Sequence, residues 1–441
     1  MTAFWECTPS KLATFRSWEN NTIRETFNLE DANKDELFSA LDWLLERQPA
    51  IEKRLVKRHI SDGDLILYDL TSTYLEGHKC PLAHHGYSRD HRGDRMQIEF
   101  GLVTDREGRP VSVEVFEGNT SDPMTLGAQI IKLKEKFGLK NIIVVGDRGM
   151  VTTTRIKEDL LPNGFSWITA LRHDSIRRLA EGPLQMGLFD DQNFAEIESP
   201  DYPGERLVAC RNPNLAEEMT RKRKDLLNLT ESGLFAIQEA IKKGRLRDCG
   251  TIGRKVESVL KKHHMQRFFK IEIAQGSFSF SRIEERISQA TDLDGIYVLR
   301  SSVPKETMDA AETVRSYKSL SNVERAFHTI KTDLDVRPIF HYLADRVRAH
   351  IFLCMLAYYV EWEMRRKLAP LLFTDEERKK NKADPVTSSK PSKEGLRKTG
   401  TLTTKSGLPL HDFSSLLKNL APFTKRGLST PGNPHLKNPT Q

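Results

Sequence analysis

The chain has 441 residues, with 68 Lys and Arg against 61 Asp and Glu, so its formal net charge is +7 at pH 7. A chain of this length can bury a large core and is expected to form more than one domain. The small positive excess is compatible with a nucleic-acid partner and equally with a solvated surface of mixed sign. The five cysteines are odd in number and form no CxxC pair, which argues against a secreted disulfide framework and indicates a reducing compartment.

The sequence gives no indication of a membrane partner. Its first residues lack the basic start and apolar segment of a signal peptide. The longest apolar run, residues 351–360, is far shorter than the roughly 20 residues that cross a bilayer, so it is interpreted as a core helix. We therefore expect a cytoplasmic protein.

Residues 1–63 are predicted to form a helical N-terminal region. Leu37, Leu41, Leu44 and Leu45 recur at a spacing that places them on one face of a helix. A supporting helical layer is the favoured interpretation of this region, and a DNA-contacting module is the alternative.

Residues 64–172 have the pattern of an α/β core. Apolar or alternating runs predict strands at 65–71, 96–104, 110–117, 141–147 and 165–171, with helices at 121–137 and 153–161. Charged residues followed by Gly108 indicate a hairpin between the second and third strands. The right-handed crossover rule then places strand 141–147 beside strand 65–71 in a mixed five-stranded sheet.

The rest of the chain is predicted to hold three further segments. Residues 173–292 are expected to form a large α+β insertion subdomain, and residues 293–372 the second part of the core, with helices at 317–334 and 346–367. The tail at 373–441 is rich in Lys, Ser, Thr and Pro and is expected to be largely disordered. Within it, the short amphipathic stretch 412–420 is a candidate for docking back onto the core.

Three carboxylates occupy three different settings in this predicted core. Asp69 and Asp147 end the first and fourth strand runs, and Glu324 lies in the helix at 317–334. If both strand ends meet at one sheet edge, the two aspartates become neighbours although they are 147 − 69 = 78 positions apart. Strand, strand and helix is the order in which a ribonuclease-H-like sheet gathers acids around divalent metal ions, which prefer such oxygen ligands. The predicted fold is therefore an α/β ribonuclease-H-like sheet flanked by helices.

Two residues share the predicted helix face of Glu324. Lys331 follows it by seven residues and Tyr317 precedes it by seven, which is two helical turns in each direction. Alone, the lysine would be interpreted as a surface residue and the tyrosine as a core aromatic. Beside a metal-binding acid, a cation and a phenol can instead hold phosphate groups.

Together these residues resemble a known family. Tyr317, Glu324 and Lys331 match three of the four positions of the Tyr-x2-Arg-x3-Glu-x6-Lys signature of DDE transposases from bacterial insertion sequences. Residues 69–71 (Asp-Leu-Thr) resemble that family's first-strand Asp-x-Thr motif, and residues 146–149 (Gly-Asp-Arg-Gly) resemble its second-aspartate motif. Residues 86–92, 294–299 and 337–341 also resemble segments of these enzymes. The resemblance extends over residues 64–361.

The resemblance implies cut-and-paste transposition, in which the element's end is nicked and the freed 3′-hydroxyl attacks another strand. It implies Mg²⁺, with Mn²⁺ as a substitute, held by the catalytic acids Asp69, Asp147 and Glu324. It also implies a homodimer in a synaptic complex with double-stranded DNA, comprising the element's ends and the target. The candidate DNA-binding residues are Tyr317, Lys331, Arg325, His328, Arg148 and Thr71.

Two departures from the family pattern leave alternatives open. Leu320 occupies the arginine position of the signature, where Arg315 or Arg325 could substitute. Residues 1–64 alone precede the first strand, whereas relatives commonly carry a larger N-terminal domain that recognises the ends. One alternative is a ribonuclease-H-like nuclease without strand transfer. The other is a catalytically inactive DNA-binding relic that represses transposition.

Two other groups of residues carry weaker signals. The loop before the second strand holds His78, Cys80, His84, His85 and His91, but their spacing fits no compact zinc pattern, so a polar or substrate-contacting loop is favoured over a zinc site. The basic run at 221–224 is interpreted as a solvated helix face, with DNA contact as the alternative.

Overall fold

The computed structural model describes residues 15–16, 18, 23–29, 31–184, 186–189, 191–375, 384–387 and 391–420. These residues form two compact units. The first unit comprises the described residues within Met1–Thr169, Ser316–Ala383 and Ser389–Gln441. The second comprises those within Ala170–Arg315 and Asp384–Ser388.

The described part of the chain forms the following strands and helices. The strands are β1 (Leu65–Tyr74), β2 (Gln97–Asp105), β3 (Pro110–Glu117), β4 (Ile143–Val145), β5 (Ser166–Ala170), β6 (Phe194–Ile197), β7 (Arg206–Arg211), β8 (Phe269–Ala274), β9 (Ser277–Arg282) and β10 (Ile296–Ser301). The helices are α1 (Ile23–Phe27), α2 (Lys34–His59), α3 (Asp122–Ile131), α4 (Thr153–Arg155), α5 (His173–Ala180), α6 (Pro213–Lys242), α7 (Cys249–His263), α8 (Glu284–Asp292), α9 (Ala310–Lys318), α10 (Leu320–Thr332), α11 (Ala344–Leu368), α12 (Lys393–Thr401) and α13 (Phe413–Leu420). Wider π turns continue α3 over Lys132–Lys136 and α4 over Ile156–Leu160.

The strands of the first unit lie in the order β3-β2-β1-β4-β5. Strand β2 is antiparallel to both β1 and β3, and β4 is parallel to both β1 and β5. These strands have the predicted mixture of antiparallel and parallel pairs. The parallel pairing of β4 with β1 confirms the topology that the crossover rule predicts.

The two faces of this sheet have different partners, because side chains alternate along a strand. Tyr68 of β1 belongs to the main apolar core, which includes buried residues of α2 and α3 and of the turn after α4. Asp69 and Thr71 lie on the opposite face, against which α10 packs. There Phe327 of α10 meets Phe100 of β2 edge to face, with ring centroids 5.5 Å apart. The sheet therefore presents Asp69 to the helix that carries the third acid.

Helix α2 packs against the sheet at strand β3. Its N-terminus is closed by a capping box, in which the Asn33 side chain accepts from the backbone of Glu36 and the Glu36 carboxylate accepts from the backbone of Asn33. Its buried Glu52 accepts a hydrogen bond from the amide of Val113 at 3.0 Å and pairs with Lys132 at 2.8 Å. This packing confirms the supporting-layer interpretation for residues 34–59, whereas residues 1–14 lie outside the described part of the chain.

Among the boundaries that differ from those predicted, two bear on the site. Strand β1 continues to Tyr74, so Asp69 lies within the strand and not at its end. The prediction of a single helix at 317–334 is wrong, because α9 ends at Lys318 and α10 begins at Leu320. The hydroxyl of Ser319 donates to the carbonyl of Ser316 at 2.6 Å, a local bond that competes with the helical backbone pattern.

The second unit has two apolar clusters of its own. Strands β6, β7 and β10 pair in the order β10-β7-β6, and their buried side chains pack with those of α5. The hairpin β8–β9 packs with α6, α7 and α8 in a separate cluster that includes Leu234, Ile252 and Phe268. This mixture of helices and strands is the α+β character predicted for the insertion.

The tail is more ordered than predicted between residues 391 and 420. Helices α12 and α13 form there, so the expected disorder does not hold for this segment. Phe413 and Leu416 of α13 are buried beside Leu372 and the partly buried Met364, which confirms the predicted docking of residues 412–420. Residues 376–383, 388–390 and 421–441 lie outside the description, so the prediction of disorder stays a prediction for them.

Helix α11 is the core helix predicted from the apolar run at 351–360. Ile351, Phe352, Cys354 and Met355 are all buried within it. No helix in the described part of the chain is both long enough and apolar enough to cross a bilayer.

Candidate active site

The three predicted acids line one pocket of the first unit. Its volume is about 540 Å³, and Asp69, Asp147 and Glu324 all contribute to its wall. Tyr317 and Thr71, two of the residues predicted to bind DNA, line the same pocket. The remaining lining residues are Leu70, Arg89, Asp122, Met150, Lys318, Leu320, Ser321 and Phe327.

The register of two parallel strands brings the aspartates to the same place. Leu65, at the start of β1, pairs with Ile143 of β4, and the next two pairs keep the same offset of 143 − 65 = 78 positions. Asp69 and Asp147 are also separated by 147 − 69 = 78 positions, so they stand at equivalent points along the two strand directions. Their convergence on one pocket therefore follows from parallel pairing.

A tight turn fixes Asp147 immediately after β4. Its backbone carbonyl accepts hydrogen bonds from the amides of Met150 and Val151, each at 3.0 Å. Its side chain is exposed, and Oδ2 accepts from the amide of Gly149 at 3.2 Å. At Gly146, an added Cβ would come within 2.7 Å of a Val151 methyl group, so the absence of a side chain there lets the turn fold back closely.

Helix α10 supplies the third acid. Val323, Ala326 and Phe327 are buried beneath the helix, whereas Glu324 is exposed on it. Burying one face fixes the helix against β1 and leaves the carboxylate of Glu324 in the pocket.

The electrostatic surroundings of Asp69 disfavour its charged form. Burial raises the pKa of the Asp69 carboxyl group to about 7, and the negative charges of Glu324 and Asp147 act in the same direction. The hydrogen bond from the Leu70 amide to Oδ1, at 2.8 Å, and the charge of Arg89 act in the opposite direction. A cation placed among these carboxylates would therefore stabilise the ionised form of Asp69.

Tyr317 reaches the pocket from the last turn of α9, although the helix breaks between it and Glu324. Its side chain is half-buried, and burial raises the pKa of the phenol above its ordinary value, with Asp147 acting in the same direction. The charge of Arg148 opposes this shift in the pKa of Tyr317, so Arg148 lies within electrostatic range of the phenol. Tyr317 is therefore a protonated hydroxyl group that can donate a hydrogen bond into the pocket.

The donor chemistry of the pocket fits a hard divalent cation. Mg²⁺ commonly takes one or two carboxylates and completes its shell with water and phosphate oxygens. Asp69, Asp147 and Glu324 supply such oxygens, and the negative charges of Glu324 and Asp147 contribute to the raised pKa of Asp69. Among the described residues, no three His, Cys, Asp or Glu side chains lie close enough together to be identified as a metal site, and this includes the three acids of the pocket.

Other predicted DNA-binding residues lie outside the pocket lining. Arg325 and His328 are exposed on α10, and Arg148 is exposed beside Asp147. Lys331 is mostly buried, and its Nζ donates to Asp90 at 2.8 Å. Burial lowers the pKa of Lys331 despite that hydrogen bond.

Sequence reasoning missed an arginine and an acid in the pocket wall. Arg89 donates to both carboxylate oxygens of Asp122 at 2.7 Å and lies 3.3 Å from Glu99. Its backbone amide donates to Ser72 of β1 at 2.9 Å, which ties the loop to the strand that carries Asp69. Arg89 falls within residues 86–92, and the resemblance of that segment to the family was the signal in the sequence that could have identified it.

Asp122 was not predicted as a site residue because it stands at the start of a helix, where an acidic residue is common. Ser121, at the N-cap of this helix, makes no side-chain hydrogen bond to it. Leu320 is present in the pocket wall at the signature's arginine position, and Arg89 and Lys318 are the cationic residues of that wall. Arg315, one suggested substitute, pairs with Glu312 at 3.1 Å.

A mixed α/β sheet that gathers two strand aspartates and a helix glutamate around one pocket defines a ribonuclease-H-like enzyme core. The chain belongs to the transposase DDE domain family, which matches residues 60–360. No curated protein matches the chain. Enzymes of this family act on DNA and generally use divalent metal ions.

Proposed function

We propose that the chain is a DNA transposase that cleaves the ends of an insertion sequence and joins them to target DNA. The observation that carries this proposal is the presence of Asp69, Asp147 and Glu324 in one pocket of a chain from this family. Each acid comes from a different element, and the sheet register and the packing of α10 account for their common position.

In this proposal the three acids hold Mg²⁺, for which Mn²⁺ can substitute. When bound between carboxylates and phosphate, such ions activate a nucleophile and stabilise the charge on the oxygens of a phosphodiester. The chain's own groups have distinct tasks: Tyr317 donates a hydrogen bond, and Arg89 and Lys318 supply positive charge for the DNA backbone. Thr71, Arg148, Arg325, His328 and Lys331 are the further DNA-binding residues of the proposal.

The proposed partners are double-stranded element ends and target DNA, bound by a homodimer in a synaptic complex. The proposed location is the cytoplasm, where bacterial DNA is accessible. Binding in such a complex should weaken steeply with salt, because cationic side chains displace counterions from phosphates.

The test is a cleavage and strand-transfer assay with the full chain. The ends are first identified by sequencing the DNA on both sides of the gene, and are then supplied as labelled duplexes with a target plasmid and Mg²⁺. We expect cleavage and joined products from the wild type. The variants Asp69→Asn, Asp147→Asn and Glu324→Gln should lose at least about a hundredfold in rate, the scale on which removing one charge-stabilising group at a reaction centre acts.

Controls separate the alternatives. DNA binding by the three variants should persist, because phosphate contacts come from other residues. Cleavage without joined products would instead indicate a nuclease, and binding without cleavage a repressor. Wild-type rates in any one variant would remove that residue from the site.

A further inference from the structure

Two cations beside the pocket share a single buried carboxylate. Asp90 accepts a hydrogen bond from Lys331 through Oδ1 at 2.8 Å, and the same oxygen pairs with the guanidinium of Arg337. The side chain of Asp90 is only 4% exposed, that of Lys331 is 10% exposed and that of Arg337 is 27% exposed. Arg337 is therefore the member of the group that solvent, or a ligand, reaches most easily.

The charges of this group do not cancel. Two cations against one carboxylate leave a net charge of 2 − 1 = +1. Lys331 is also within electrostatic range of Arg89, which lines the acidic pocket. Partial burial strengthens the attraction of such a group for an anion, because fewer water molecules screen its charge.

Backbone pairing holds Arg337 in place. Two residues further on, the amide of Ile339 donates to the carbonyl of Tyr74 at 3.1 Å, and the carbonyl of Ile339 accepts from Glu76 at 2.9 Å. These bonds attach the segment after α10 to the end of β1, the strand that carries Asp69. A guanidinium has five donors, so Arg337 can pair with Asp90 and still donate to a phosphate.

We propose that Arg337 binds a phosphate of the DNA backbone, and that Asp90 is a positioning residue that holds Arg337 and Lys331 for that contact. The inference rests on the proposed function, since it takes DNA as the ligand. The accessible phosphate contact is therefore assigned to Arg337. Lys331, the lysine of the signature, supports that contact through its pair with Asp90.

The first experiment measures binding of a labelled duplex of random sequence to the full chain over a range of salt concentrations. Arg337→Ala should weaken binding about tenfold or more, as expected for loss of a charge-assisted hydrogen bond. It should also reduce the slope of log K against log salt by about 0.9, the value for one phosphate contact. The matched control is Arg348→Ala, which removes an arginine that is 38% exposed and paired with Asp345. Equal losses in the two variants would overturn the inference.

The second experiment separates positioning from charge. Asp90→Asn removes a negative charge near the DNA, so charge alone predicts tighter binding. Positioning predicts weaker binding, and it predicts that Asp90→Asn weakens binding less in an Arg337→Ala background than in the wild type, because only the pair with Lys331 is then left to lose. Tighter or unchanged binding by Asp90→Asn would contradict the positioning role.

Folding of each variant is checked by its melting temperature. If Asp90→Asn does not fold, Asp90→Glu retains the charge and displaces the carboxylate by one methylene. It should also weaken binding, and wild-type affinity in this variant would overturn the proposal. Failure of the wild type to bind any duplex would instead refute the proposed function, so the two failures are distinguishable.

Discussion

Asp69 couples the chemistry of the site to the stability of the fold. Burial raises the pKa of its carboxyl group from 3.8 to about 7. Between those two values the folded state binds more protons than the unfolded state, so the contribution of Asp69 to stability falls as pH rises through this window. At about 1.4 kcal/mol per pKa unit, the largest effect is about 4 kcal/mol. The part of this cost that comes from the negative charges of Glu324 and Asp147 would be relieved by a bound cation.

The first prediction concerns Asp69→Asn in the presence of a chelator. The variant cannot ionise at this position, so its free energy of unfolding should rise relative to that of the wild type as pH increases from about 4 to 8, by about 1–4 kcal/mol. Urea unfolding at several pH values measures the difference. Burial also raises the pKa of Glu99 to about 7. Because Glu99 is present in both proteins, its contribution to the pH dependence cancels in the difference.

A control variant shows whether the effect belongs to the pocket. Asp345→Asn removes a carboxylate whose side chain is 72% exposed, so no comparable trend with pH is expected. A difference between Asp69→Asn and the wild type that stays constant with pH would show that Asp69 is not held in a setting that disfavours its charge.

At the scale of elements, the site depends on how β4 ends. The strand is only three residues long, and the chain turns at once, with two amides bonded to the carbonyl of Asp147. Gly146 is where this turn is most crowded, because an added Cβ would lie 2.7 Å from a Val151 methyl group. The direction of the Asp147 carboxylate is therefore set by close packing.

The second prediction is that Gly146→Ala lowers cleavage activity and destabilises the first unit by about 1–3 kcal/mol, the usual cost of overpacking. Because the clash is with one methyl group, Gly146→Ala combined with Val151→Ala should recover part of the lost activity. Val151→Ala alone is the control. Activity that is unaffected by Gly146→Ala would show that the turn can adapt without moving Asp147.

The sequence was most informative where local pattern and topology agree. Strand β3 has the predicted bounds 110–117, because a turn precedes it, and the neighbouring positions of Asp69 and Asp147 follow from one crossover. The break at Ser319 was not predictable, since the apolar periodicity continues across it. The pair between Arg89 and Asp122 was also missed, because it joins a loop to a helix start 33 positions away.

At the scale of the whole molecule, the three acids belong to one unit although the second unit interrupts its chain. Asp147 precedes Ala170–Arg315 and Glu324 follows it. The residues that line the pocket all belong to the first unit. The second unit has apolar clusters of its own. The chain's net charge of +7 is small beside its 68 basic residues, so DNA affinity should depend on local groups of cations such as Lys331 with Arg337.

The last prediction uses this division to detect the metal without measuring activity. All five tryptophans occur in the sequence ranges of the first unit, at positions 5, 18, 43, 167 and 362. Trp18 and Trp167 are buried, so tryptophan fluorescence reports the unfolding of that unit. Mg²⁺ at a hundred times its dissociation constant should stabilise the unit by about 2.7 kcal/mol and raise its melting temperature by about 5–10 °C. The shift should grow between pH 6 and 8, because protons compete with the metal for Asp69. It should disappear in Asp147→Asn and persist in Asp345→Asn. An equal shift in all three proteins would show that Mg²⁺ acts elsewhere on the chain, and that the acids of the pocket do not hold it.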